Sequence, residues 1–232
     1  MGNSCFNIPI LILLIFSFMP HAGTALAADH GNRNEDVSFR WSFNAIVGPE
    51  HKKKLVPITR YNTLKKGDLL KIRLELKKKC FIYFFHRTPE DQLTMLFPYG
   101  FDLFDGDYQA GKVYDIPPGQ NCFRMDNNAS AETFYLVASA GRLRNLERSY
   151  LKYDAARRDE KKTLARHILS EIHTIKRQYG LLTASAERPV LIGGNVRALV
   201  KDNTAQNRSN NAHKIEVSAP DVYIKTFTIK LQ

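Results

Sequence analysis

Between residues 37 and 47, Val37, Phe39, Trp41, Phe43, Ala45 and Val47 alternate with Ser38, Arg40, Ser42 and Asn44. A period of two predicts a strand with one buried face, and Trp41, the only tryptophan, falls on that face. The alternation returns where Leu70, Ile72, Leu74 and Leu76 are interleaved with Lys71, Arg73, Glu75 and Lys77. Cys80 to His86 breaks the pattern. Both of its alternating sets, Cys80, Ile82 and Phe84 and then Phe81, Tyr83 and Phe85, are apolar, so this strand needs cover on both sides. With Leu93 to Pro98 beyond the turn residues Thr88-Pro89-Glu90-Asp91, it predicts the central hairpin of a β-domain.

Leu55 to Tyr61, broken by Pro57, predicts a short extended segment, and Lys112 to Ile116, Asn121 to Met125, Thr133 to Ser139 and Tyr223 to Leu231 predict further short strands. Leu143 to Tyr179 is different: it has no Gly or Pro, and Leu164, Ile168, Ile172, Ile175 and Tyr179 recur at helical spacing. Leu143, Leu146, Tyr150 and Tyr153 make a similar stripe, which predicts one long helix or two joined near Ala155 to Asp159. Arg188 to Val200 is strand-like in composition, and the Asn-rich stretch Lys201 to His213 reads as a surface loop. The expected fold is mainly β: a Greek-key or immunoglobulin-like β-sandwich over residues 37–232, with a helical insertion at 143–179 and a closing strand at 222–231.

The first 27 residues contain no Lys, Arg, Asp or Glu, and Ile8 to Phe18 is apolar apart from Pro9 and Ser17. With Ala25-Leu26-Ala27 this reads as a signal peptide over 1–27, followed by a flexible stretch over 28–36. The expected location is therefore the periplasm or cell envelope. Cys5 would leave with the signal, so Cys80 and Cys122 remain, and an oxidising compartment predicts a disulfide between them. The charge is strongly basic, 34 Lys plus Arg against 23 Asp plus Glu, a formal +11. For an exported chain this points to an anionic envelope surface or polymer rather than nucleic acid, or simply to a solvated surface.

Enzyme signatures are missing: there is no G-x-S-x-G, H-E-x-x-H, P-loop or dinucleotide fingerprint. Asp102, Asp105 and Asp107 lack the spacing of a calcium loop, and neither a metal nor a cofactor is expected. A catalytic alternative would combine those acids with His86, oriented by nearby Glu90 and Asp91. Two surfaces could instead meet a partner. One is the basic helix face with Arg157, Arg158, Lys161, Lys162 and Arg166, which could also lie on a membrane surface. The other is the aromatic loop with Tyr99, Phe101, Phe104 and Tyr108, whose exposed aromatics rimmed by polar residues suit an envelope protein or glycan.

Lys66-Gly67-Asp68, Cys80-Phe81-Ile82-Tyr83-Phe84-Phe85, Leu96-Phe97-Pro98, Gln109-Ala110-Gly111, Tyr114-Asp115-Ile116-Pro117 and Glu132 to Ser139 follow one another in an order that resembles the bacterial domain-of-unknown-function 4384 family. The resemblance covers about Val37 to Gly141. It implies an exported β-rich domain, often joined to other modules, and carries over no catalytic residues. The loop 99–108 and the basic segment 143–179 depart from that family's pattern, so a function private to this chain is expected there. A non-enzymatic interaction module is the expected activity class.

Overall fold

A computed structural model describes residues 37–49, 52–58, 61–126, 131–183, 187–189 and 214–231. The expected signal peptide, the stretch 28–36, the loop 201–213 and most of 188–200 lie outside these residues. Twelve strands are present among the described residues: β1 (Val37–Val47), β2 (Lys54–Pro57), β3 (Tyr61–Leu64), β4 (Leu69–Leu76), β5 (Phe81–Arg87), β6 (Leu93–Phe97), β7 (Val113–Ile116), β8 (Phe123–Arg124), β9 (Ala131–Ser139), β10 (Glu187–Pro189), β11 (Ile215–Ala219) and β12 (Val222–Leu231). Two helices, α1 (Arg144–Asp154) and α2 (Arg158–Thr183), lie between β9 and β10. The fold is a mainly β sandwich with a helical insertion.

One sheet runs β10-β11-β1-β4-β7, with β2 also pairing β1 and β8 pairing β4; the other runs β3-β12-β9-β5-β6. The alternating set of β1 faces the second sheet. Trp41 meets Phe227 edge-on at 5.3 Å, and Phe43 meets Phe84, Phe134 and Phe227 at 5.7, 5.2 and 5.3 Å. Edge-to-face packing of this kind adds about 0.5–1.5 kcal/mol per pair beyond area burial. On β4 the long polar residues turn outward, and Lys71 uses its ammonium to bind the carbonyls of Pro117, Gly119 and Asn121 at 2.6, 2.7 and 2.7 Å.

The predicted two-sided burial of β5 holds. Phe84 faces the sandwich interior, while Phe85 packs against Tyr150 of α1 at 5.8 Å and Tyr135 of β9 lies 6.3 Å from His173 of α2. The helices thus cover the outer face of the second sheet. Tyr153 and Tyr150 fasten them there, their hydroxyls accepting the backbone N–H groups of Leu93 and Met95 at 3.0 Å each. The hairpin β5–β6 is not central, however. It forms the edge of its sheet, and β9 holds the middle between β12 and β5. The helical segment breaks at 155–157, within the region expected for a joint.

The expected Cys80–Cys122 disulfide is corrected: both are free thiols. Cys80 follows the C-terminal end of β4, beside the Ser38 carbonyl, whereas Cys122 precedes β8, which pairs with Leu69 and Leu70 at the opposite end. The length of β4 separates them, roughly 20 Å at strand rise, and a disulfide needs Cα atoms within about 7 Å. Burial pushes the Cys80 thiol up to about 12, which leaves it protonated and inert.

Candidate functional site

The aromatic loop is the first correction at the expected contact surfaces. Phe101–Asp105 winds into a short 3-10 turn, and Phe104 and Tyr108 are only 3% and 2% exposed, against 52% for Tyr99. Phe104 sits edge-on to Phe81 and Tyr83 at 5.2 and 5.3 Å, and half-buried Phe101 reaches Tyr150 at 6.3 Å. The turn is the cover that the outward set of β5 required. Tyr108 also ties the turn to the strand frame, its hydroxyl oxygen accepting the Ile82 N–H at 3.3 Å. Tyr99 alone of the four stays outside, its hydroxyl donating to the Asp115 carbonyl at 2.5 Å.

Behind this turn lies an ionic clasp, buried at Arg142 and Glu147 and exposed at Asp105, that no sequence motif marks. Arg142 donates to Glu147 through Nε (2.9 Å) and Nη2 (2.6 Å), and through Nη1 to both oxygens of Asp105 at 2.8 and 2.9 Å. Its guanidinium lies 5.4 Å from the Phe104 ring centre. The Tyr83 hydroxyl donates to Glu147 at 2.6 Å and accepts the Leu143 N–H at 3.0 Å. Burial alone would raise the Glu147 carboxyl, but the bonds from Arg142 and Tyr83 outweigh it and hold it below the usual carboxylate range. Burial and the same carboxylate push the Tyr83 phenol well up, so it acts as a donor throughout the physiological range. A signal was available: Glu147 lies within the stripe Leu143, Leu146, Tyr150, where an acid must find a partner.

The catalytic combination is not assembled. His86 contacts Glu132 at 3.1 Å and stacks on Phe134 at 4.7 Å, on the interior-facing side of β5. The turn with Asp102, Asp105 and Asp107 covers the opposite side, through Phe81 and Tyr83. Asp105 is held by Arg142 and Asp107 by Lys112. Asp91 is taken by Arg87 rather than His86, because adjacent strand residues point to opposite faces. Among the described residues no group of three or more His, Cys, Asp or Glu side chains could hold a metal ion.

The basic residues gather at the joint of the two helices. Arg157, Arg158, Lys162 and Arg166 are exposed around the α1–α2 joint and the first turns of α2. Lys161 is partly drawn in, its ammonium 5.0 Å over the Tyr153 ring and 3.2 Å from the Asp154 carbonyl. Arg166 reaches Asp91 at 3.4 Å, and Arg87, Arg166 and Lys162 together keep that carboxyl low, the hydrogen bond from Arg87 being the main cause.

Residues 63–142 match the family described as Domain of unknown function (DUF4384). This supports the resemblance drawn from the order of sequence blocks. The matched DUF4384 segment carries β4 to β9, the aromatic turn and Arg142, and stops immediately before Leu143. The helical pair and its basic elbow therefore lie outside it, as do β1 and β12, which contribute the other walls of the core. Comparisons with curated proteins and with solved structures give no match.

Proposed function

We propose that this chain is an exported, non-enzymatic interaction module of the cell envelope, a DUF4384 β-sandwich that meets an anionic surface through the elbow of its helical pair. The observation that carries this reading is the exposure of Arg157, Arg158, Lys162 and Arg166 on one joint, outside the matched segment, while Phe104 and Tyr108 of the rival aromatic surface are internal core. The signal-like residues 1–27 and the formal +11 support the compartment and the sign of the partner. A basic side chain near an anionic membrane surface contributes about 1 kcal/mol, so an elbow of four suffices for reversible attachment without a spanning helix. No helix among the described residues is long and apolar enough to cross a membrane.

The test is co-sedimentation of the chain lacking residues 1–27 with vesicles containing anionic headgroups, beside neutral vesicles. Binding is expected only to the anionic set, falling as salt shortens the screening length below about 8 Å. Arg157→Gln with Arg158→Gln should weaken it about tenfold or more. Equal binding to neutral vesicles, or no change in the double variant, would remove the elbow from the function.

A further inference from the structure

The turn between β5 and β6 meets α2 at the elbow, and one residue in it stands apart. Asp91 has a φ of 66°, in the left-handed region that glycine and asparagine favour, and it is the single non-glycine residue there among the described residues. Its side chain is not needed to close the turn. The Thr88 N–H donates to the Gln92 carbonyl at 2.9 Å and the Asp91 N–H to the Thr88 carbonyl at 3.1 Å, and both are backbone bonds.

The carboxylate is turned instead onto cations from two elements. Arg87, at the end of β5, places Nε (3.0 Å) and Nη2 on Oδ1, and Arg166 of α2 reaches Oδ2 at 3.4 Å. The Asp91 side chain is 11% exposed against 63% for Arg166, so the acid is drawn in while the base that meets it stands in water. Arg158, Lys162 and Arg166 follow at i, i+4 and i+8, an exposed row along α2 in which like charges repel. Lys162 is near enough to act on the Asp91 carboxyl, but both oxygens already have donors. Arg87, Lys162 and Arg166 thus converge on a single carboxylate, with Arg158 next in the row.

This is the layout of an anion seat whose ligand is supplied from within. A planar carboxylate satisfies the two arginines, whereas a tetrahedral phosphate has oxygens for both and for Lys162 as well. The contact between Arg166 and Asp91 is long and largely hydrated, which makes it weak and open to exchange. We infer that Asp91 is an internal stand-in for phosphate: Arg87, Lys162 and Arg166 form the seat of one lipid phosphate group, and the Asp91 carboxylate competes for it and restrains binding. The inference rests on the reading of the elbow as a surface for anions, and narrows that partner to one bearing phosphate.

The experiment is co-sedimentation of the chain lacking residues 1–27 with vesicles whose equal surface charge comes from phosphatidate or from oleate. Asp91→Asn and Asp91→Gly both tolerate a left-handed φ, so the turn survives loss of the carboxylate. Each should strengthen binding to phosphatidate about fivefold or more, the effect of freeing one basic side chain near an anionic surface. Glu90→Gln makes the same change in net charge one residue away and should strengthen it about twofold at most. Arg166→Gln should cancel the gain of Asp91→Asn, and oleate vesicles should show little of that gain. If the parent chain binds phosphatidate and the Asp91 variants gain no more than Glu90→Gln, the seat is overturned and the elbow reading stands. If neither the parent chain nor Asp91→Asn binds either anionic vesicle, both fall. An equal gain on oleate would overturn phosphate as the ligand, and release of the chain by inorganic phosphate at about 1 mM would overturn the lipid as its source.

Discussion

The aromatic turn at 99–108 and the basic elbow at 154–166 both lie against the second sheet, on the same outward side of β5 and β9. The rings that the first turns inward lose little on leaving water, while its acids Asp105 and Asp107 stay exposed. Phe101, Phe104 and Tyr108 complete a ring cluster with Phe81, Tyr83 and Tyr150, and burying each aromatic side chain stabilises the fold by roughly 1.5–3 kcal/mol. Guanidinium and ammonium groups cannot follow them, because dehydrating a charge costs several kcal/mol unless it is fully paired. The one cation that does go in, Arg142, is matched by two carboxylates. Two segments that look equally suited to contact therefore divide into cover and surface, and the division follows from hydration.

The largest effect expected along this divide is on the cover. Phe104→Ala should lower unfolding free energy by about 3–5 kcal/mol, measured by denaturant titration; a loss below 1 kcal/mol would mean that the turn is not cover at all. Next comes the clasp. Because the folded chain holds the Glu147 carboxyl low, its contribution to stability is fully present above the unfolded value of 4.5 and is lost as pH falls through the folded value. Glu147→Gln should cost about 1–3 kcal/mol at neutral pH and flatten part of the acid limb below about pH 4.5. An acid limb identical in both chains would place the proton elsewhere. Smallest is the elbow: Arg157→Gln with Arg158→Gln should change stability by no more than about 0.5 kcal/mol while altering vesicle binding. A large stability loss there would dissolve the contrast.

Most of the frame was legible because it depends on short-range periodicity. The strands over Val37–Val47 and Leu69–Leu76, the last strand and the two apolar helix stripes follow from residue spacing alone. β11 (Ile215–Ala219) was not foreseen, since five residues beside an Asn-rich stretch carry too few repeats to show a period. The sites were less legible for a reason of distance. The sequence shows that β5 needs an outer cover and that 99–108 is rich in aromatics, but nothing in either local pattern states that one answers the other. His86 was assigned to its neighbours in the chain, Glu90 and Asp91, whereas strand pairing gave it Glu132, 46 positions away. Arg142 has no motif around it, and it acquires meaning only when α1 brings Glu147 and the 3-10 turn brings Asp105 to it.

Lys71 has one more implication. Its ammonium, held by three carbonyl oxygens, does for the Pro117–Asn121 turn what a bound alkali ion does in other loops. An ion tethered through four methylene groups has an effective local concentration on the order of millimolar or above whatever the bath contains. The turn is thus indifferent to chelators and to the external ionic supply. Acylation of that single nitrogen would abolish the tethered cation and leave three carbonyls facing one another.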